Sequence, residues 1–177
     1  MSDRVTLDRH GAVAHVRLSR PDKRNGLDLE MCTALIAAGE QIQADPSVRA
    51  AVLSGVGKAF CAGLDFASFL VAGDEARQGM LHPRVGPANP AQRIAWVWQE
   101  VPVPVIAAVH GVAFGGGLQL ALGADMRFVT ADARLSVMEI TWGLLPDMAI
   151  TRTLLHCARR DVVKELTFTG RIISGEE

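Results

Sequence analysis

Gln119, Glu139 and Asp147 are the residues whose types and spacing point to chemistry. Glu139 is a lone carboxylate among apolar neighbours, and Asp147 follows Pro146 eight residues later. Carboxylates in apolar surroundings are candidates for acid/base work. Gln119 lies twenty residues before Glu139, just past Gly115-Gly116-Gly117. Three glycines in a row bring backbone close to a ligand, because no Cβ intervenes. If they open a helix, its first amides have no intrahelical partner and carry partial positive charge. Such a turn stabilises a bound anion or an oxyanion that develops during reaction. Each residue also has a plainer reading. Glu139 can pair with Arg127, Arg134 or Arg152; Asp147 can cap a helix starting near Ala149; Gln119 can simply bond its helical neighbours.

The elements that must hold these residues alternate in type. The apolar run 105–109 reads as a buried strand broken by His110-Gly111, and 118–122 as a short helix after the glycines. Residues 5–7 and 12–18 read as a hairpin around Asp8-Arg9-His10-Gly11. Residues 20–26 form a basic loop, either a solvated turn or a contact for an anionic ligand. Asp28 can cap a helix over 29–44, which Asp45-Pro46 ends. Strand 50–53 runs into a second small-residue turn, 55–65, where Asp65 is placed to cap the next helix. Residues 73–92 are polar and rich in Pro and Gly and read as a mobile loop or lid. Helix 93–99, strands 124–129 and 135–137, and helices 149–157 and 161–168 follow. Residues 173–177 look like the start of another helix. The whole implies a single α/β domain over residues 1–177 with mostly parallel strands.

Composition narrows the function classes. A net charge of -1 and 49% hydrophobic residues give no reason to expect nucleic acid or a membrane surface as partner. Aromatics are few, at 5%, and Tyr is absent, which argues against stacking platforms for bases. Cys32, Cys61 and Cys157 are widely spaced, so neither a disulfide framework nor a metal site is expected. The free thiols and polar N-terminus fit a cytoplasmic protein without a signal peptide. Gly57-Lys58-Ala59 lacks P-loop spacing, and the glycine turns lack the Rossmann pattern.

Several motifs together resemble the crotonase (enoyl-CoA hydratase/isomerase) family. Arg20-Pro21-Asp22-Lys23-Arg24-Asn25-Gly26-Leu27 is similar to its R-P-x-x-x-N-A-L loop, and Phe60-Cys61-Ala62-Gly63-Leu64-Asp65 to its F-x-A-G-x-D turn. Residues 104–120 resemble its P-x-I-A-A-V-x-G-x-x-x-G-G-G-x-x-L segment. Met138-Glu139-Ile140 with Gly143-Leu144-Leu145-Pro146 resembles its P-E-x-x-x-G-x-x-P segment, and 169–174 its T-G-x-x-x-x-A stretch.

The resemblance implies a spiral of repeated ββα units, with the C-terminal helical section of the family missing or truncated. It implies a coenzyme A thioester as substrate and no permanently bound cofactor. The amides of Leu64 and Gly116 would form the oxyanion hole. Lys23, Arg24 and the backbone of Ala62, Gly63 and Asp65, with Gly115, would contact substrate and coenzyme A. The full-length form would be a homotrimer or dimer of trimers. Hydratases of the family carry a glutamate at the position of Gln119, and a carboxamide orients water without accepting its proton. Asp147 falls where dienoyl-CoA isomerases of the family carry an aspartate. The residues therefore lean from hydration towards isomerisation, with a non-catalytic acyl-CoA-binding member as the alternative.

Overall fold

The computed structural model describes residues 3–81 and 86–177. Strands β1 (Val5–His10) and β2 (Val13–Leu18) form the antiparallel hairpin. The strand pairing continues through Asp8-Arg9-His10, so the turn tightens to Gly11 and Ala12. Ala14, Val16 and Leu18 are fully buried, while Val13, His15 and Arg17 alternate onto the outer face. Helix α1 (Leu29–Gln43) starts where Asp28 accepts the Met31 amide at 2.8 Å. It buries Met31, Cys32, Leu35, Ala38 and Ile42, a stripe at helical spacing. β3 (Ala50–Gly55) then pairs parallel to β2.

The polar stretch read as a lid is largely helical. Helices α2 (Phe66–Val71) and α3 (Gly73–Leu81) precede residues 82–85, which lie outside the described residues, as does that part of the expected loop. Asp74 and Glu75 sit in the first turn of α3, where the helix dipole favours them. α4 (Pro90–Glu100) starts three residues earlier than expected. Asn89 and Gln92 form a reciprocal capping box around Pro90.

β4 (Val105–Val109) is parallel to β3, and β6 (Met126–Val129) is parallel to β4. The first sheet thus has the order β1-β2-β3-β4-β6. A second sheet holds β5 (Val112–Phe114), β7 (Arg134–Ser136) and β8 (Ile173–Ser174). β5 is a strand that periodicity did not reveal, because three residues carry no period. β8 corrects the expected terminal helix. Leu135 opposite Ile173 makes an antiparallel pair that takes these residues instead.

The two sheets explain the spiral. β4 and β5 give one strand to each sheet, as do β6 and β7. β3 is matched by Cys61, which bridges Ala113 in parallel fashion. The corners stack: the Phe60 amide donates to the His110 carbonyl at 2.9 Å, and the Arg134 amide to that of Gly111 at 2.8 Å.

Helix α5 (Gly116–Leu122) is buried along its whole length. Leu120 and Ala121 join the main core, in which Trp98, Leu35 and Leu53 are fully buried. Leu118 and Leu122 join a second cluster with Val137, Ile150, Leu154 and Leu166. Ile150 lies in α6 (Ile150–Thr153), a 3-10 turn covers Leu154–His156, and Leu166 lies in α7 (Arg160–Thr169). The single helix expected over 149–157 is therefore two short pieces. Full burial of each large side chain contributes about 1.5–3 kcal/mol, so α5 is clamped from both sides.

Candidate active site

A cavity of about 580 Å³ opens beside the start of α5. Leu64, Gly116, Gln119, Glu139 and Asp147 all line it. Residues thus brought together are separated by up to 83 positions in the chain.

Two turns meet at its floor. Gly63 has φ +87, and a Cβ there would sit 2.5 Å from the Phe114 carbonyl oxygen and 3.5 Å from the Gly116 amide nitrogen. Only glycine allows both that conformation and that approach. The Leu27 amide donates to the Gly63 carbonyl at 2.8 Å, and the Asp65 amide to the Leu27 carbonyl at 3.0 Å. This pairing passes over the Leu64 amide, which has no backbone acceptor among the described residues. Gly116 is the first residue of α5, so its amide has no intrahelical acceptor either. Gly115, at φ +50, precedes it, and a Cβ there would stand 3.1 Å from Glu139 Oε1.

The turn at 62–65 is braced from behind. Arg20 is buried and donates to Asp65 Oδ2 at 2.7 Å and to the Gly26 carbonyl at 3.2 Å. Asn25, fully buried, donates to the carbonyls of Ala59 at 2.8 Å and Phe60 at 3.2 Å. The basic loop thus divides: Arg20 and Asn25 are structural, while Lys23 and Arg24 are exposed. The Ala62 amide donates to the Arg24 carbonyl at 2.9 Å, which sets Arg24 beside a residue of the cavity wall. The Asp65 carboxylate caps α2 by accepting from the Ser68 amide and hydroxyl, so only its backbone is left for a ligand. Desolvation pushes its carboxyl up, but the bonds from Ser68 and Arg20 outweigh this and hold it at about 2.

Glu139 opens a 3-10 turn, Glu139–Trp142, and is 9% exposed. The arginine pairing is not seen: no salt bridge to it occurs among the described residues. Arg127 donates to the Ala124 carbonyl, and Arg134 lies over the Phe114 ring. Glu139 Oε1 instead accepts from Gln119 Nε2 at 2.6 Å. Its Oε2 is buried without a hydrogen-bond partner among the described residues. Burial pushes the Glu139 carboxyl above its ordinary range. Its own amide and Gln119 pull it back, and the Asp147 charge pushes it further up. Asp147 is not a helix cap. The N-cap of α6 is Ala149, with no side-chain capping bond, and Asp147 instead faces the cavity from the exposed segment before it.

The rest of the wall is apolar and was not anticipated. Phe66 packs on Trp142 with ring centroids 4.9 Å apart, and Phe69, Met80 and Met148 add to it. Trp142 lies three residues past Glu139, a spacing that could have flagged it. Cys61 is no nucleophile: burial pushes its thiol up to about 12, and its Sγ donates to the Asn25 carbonyl at 3.1 Å.

The chain is similar to known proteins in both fold and sequence. A crystal structure of an enoyl-CoA hydratase/isomerase from Mycobacterium paratuberculosis superposes with a TM-score of 0.89 at 28% identity, covering 99% of this chain and 69% of that one. The fold is therefore that of the crotonases. The sequence model of the enoyl-CoA hydratase/isomerase family matches residues 8–177, and the chain belongs to that family. It is 36% identical to the mitochondrial Delta(3,5)-Delta(2,4)-dienoyl-CoA isomerase of Rattus norvegicus, over 93% of this chain and 52% of that protein. It is 33% identical to the (E)-benzylidenesuccinyl-CoA hydratase of Thauera aromatica, over 98% of this chain and 65% of that protein. The chain thus spans about half to two thirds of the length of these relatives.

Proposed function

We propose that the protein acts on an acyl-CoA thioester by passing through an enolate, with double-bond isomerisation favoured over hydration. The observation that carries this is Glu139 Oε2, a buried carboxyl oxygen without a partner on a side chain that lines the cavity beside the Gly116 turn. Glu139 takes a proton from the carbon next to the thioester carbonyl. The C–H electron pair becomes the enolate C=C bond and the carbonyl π pair moves onto oxygen, where the Leu64 and Gly116 amides stabilise it, each worth about 3 kcal/mol. The enolate collapses when a proton returns to a carbon further along the chain, from Glu139 or from Asp147. Hydration asks for a second carboxyl at position 119 to deprotonate water, and a carboxamide cannot do this. Lys23 and Arg24, with the backbone of Ala62, Gly63 and Asp65, bind the coenzyme A portion, and Gly115 clears space for Glu139. The apolar wall around Phe66 and Trp142 takes the acyl tail. A reducing, cytoplasmic setting and trimeric assembly belong to the same proposal. The exposed Met126 and Phe128 on the edge strand β6 support an interface there.

The test offers 3-butenoyl-CoA and crotonyl-CoA in parallel and follows the conjugated thioester absorbance. Appearance of crotonyl-CoA at a rate well above its hydration supports the isomerase reading. Fast hydration with no isomerisation overturns it. Binding of both without turnover favours the second reading, a non-catalytic acyl-CoA-binding protein, which the absence of a carboxyl at position 119 supports.

A further inference from the structure

We propose that Gln119 is a positioning residue: its carboxamide, turned one way by the Met148 amide, occupies Glu139 Oε1 and leaves Oε2 as the one oxygen that exchanges a proton. This rests on the acid/base role proposed for Glu139. The argument is one of donors and acceptors. The Met148 backbone N–H can only donate, so the carboxamide oxygen faces it, at 2.8 Å. The carboxamide nitrogen can only donate, and it faces Glu139 Oε1 at 2.6 Å. A proton on Oε1 would collide with that N–H, so the neutral acid carries its proton on Oε2. Gln119 is 1% exposed, and turning its carboxamide over would set N–H against the Met148 N–H and oxygen against the Glu139 carboxylate.

The same side chain ties the two acids together. Met148 follows Asp147 directly, and Ala149 then adopts φ +67, reversing the chain after the anchored amide. Gln119 thus bonds Glu139 on one side and the segment that carries Asp147 on the other. Asp147 is the charge that acts on Glu139, and Gln119 itself is neutral.

Two substitutions separate this role from simple packing. Gln119→Met keeps the bulk and removes the donor to Glu139, which favours the protonated acid. Gln119→Glu keeps the Met148 bond, which now favours charge at 119. That side chain ionises first, and Glu139 holds its proton to still higher pH.

The experiment titrates the Glu139 carboxyl by NMR in the full chain carrying 13C-labelled glutamate, with the resonance assigned through Glu139→Gln. The expected result is an upward shift of about one pH unit in Gln119→Met and a larger one in Gln119→Glu. A Glu139 titration unmoved in both folded variants overturns the inference. Should Gln119→Met not fold, the near-isosteric Gln119→Glu decides alone. Turnover of 3-butenoyl-CoA is measured separately. Shifts present without turnover support the positioning role and overturn only the catalytic reading.

Discussion

Asp65 and Glu139 are both withdrawn from bulk water beside the same cavity, and they are treated in opposite ways. Asp65 meets a guanidinium and two donors from Ser68, and its carboxyl is held at about 2. Glu139 meets one carboxamide and its own amide, and its carboxyl is pushed up. Burial is common to both, so burial alone does not make an acid/base. The supply of donors decides: a fully satisfied carboxylate is a brace, and one left an oxygen short can exchange a proton. Arg20 therefore braces the turn that carries the Leu64 amide, while Glu139 has no salt bridge among the described residues.

The largest expected effect breaks the Glu139 side of this contrast. Glu139→Gln should lower 3-butenoyl-CoA isomerisation by roughly 10²–10⁴-fold while leaving ligand affinity within a few-fold, since a general base acts mainly in the transition state. Near-normal initial rates in the folded variant would remove Glu139 from the mechanism. Next comes the Asp65 side. Arg20→Met strands Asp65 without its buried cation and should cost about 3 kcal/mol in urea unfolding.

The pH dependence of stability should then separate the two acids by sign. The folded value of Asp65, about 2, lies below the unfolded value of about 4. The parent should exceed Asp65→Asn fully above pH 4, and the gap should close as the pH falls through 2. Glu139 is raised on folding, so folding takes up a proton and the benefit is present below its unfolded value of about 4.3. Glu139→Gln should gain on the parent as the pH rises past that value. Parallel slopes for the two variants would end the comparison. The smallest effect concerns Lys23, exposed on the rim loop. Lys23→Ala should weaken acyl-CoA binding by about 2–5-fold at low salt, as befits one exposed charge contact, and change stability by less than about 0.5 kcal/mol. Calorimetric titration with butyryl-CoA and a thermal melt check the two halves.

Much of this could be read along the chain. The Asp28 cap, the strand 105–109 and the glycine turn into α5 depend on neighbours a few residues away, and so on local rules. The resemblance of the motifs to the crotonase family likewise implies one site for Leu64, Gly116, Gln119 and Glu139, and backbone geometry explains the glycines of its turns. β5 and β8 escaped, being two or three residues long and held by partners in other turns of the spiral. The lid expected over 73–92 gave way to α3, which docks its Met80 against the main core from 14 residues before Ile94.

What tertiary structure alone decided is the working state of the acid. Plain readings of Glu139, Gln119 and Asp147 are all open from the residues, and those of Glu139 and Gln119 are settled by partners distant in sequence. The partner of Glu139 is a carboxamide twenty residues upstream rather than an arginine. The partner that orients this carboxamide is the backbone amide of Met148, 29 residues from Gln119. Every residue but proline carries such an amide, so no residue type marks it in a sequence; only the folding of the 144–149 segment over α5 brings that one donor into place.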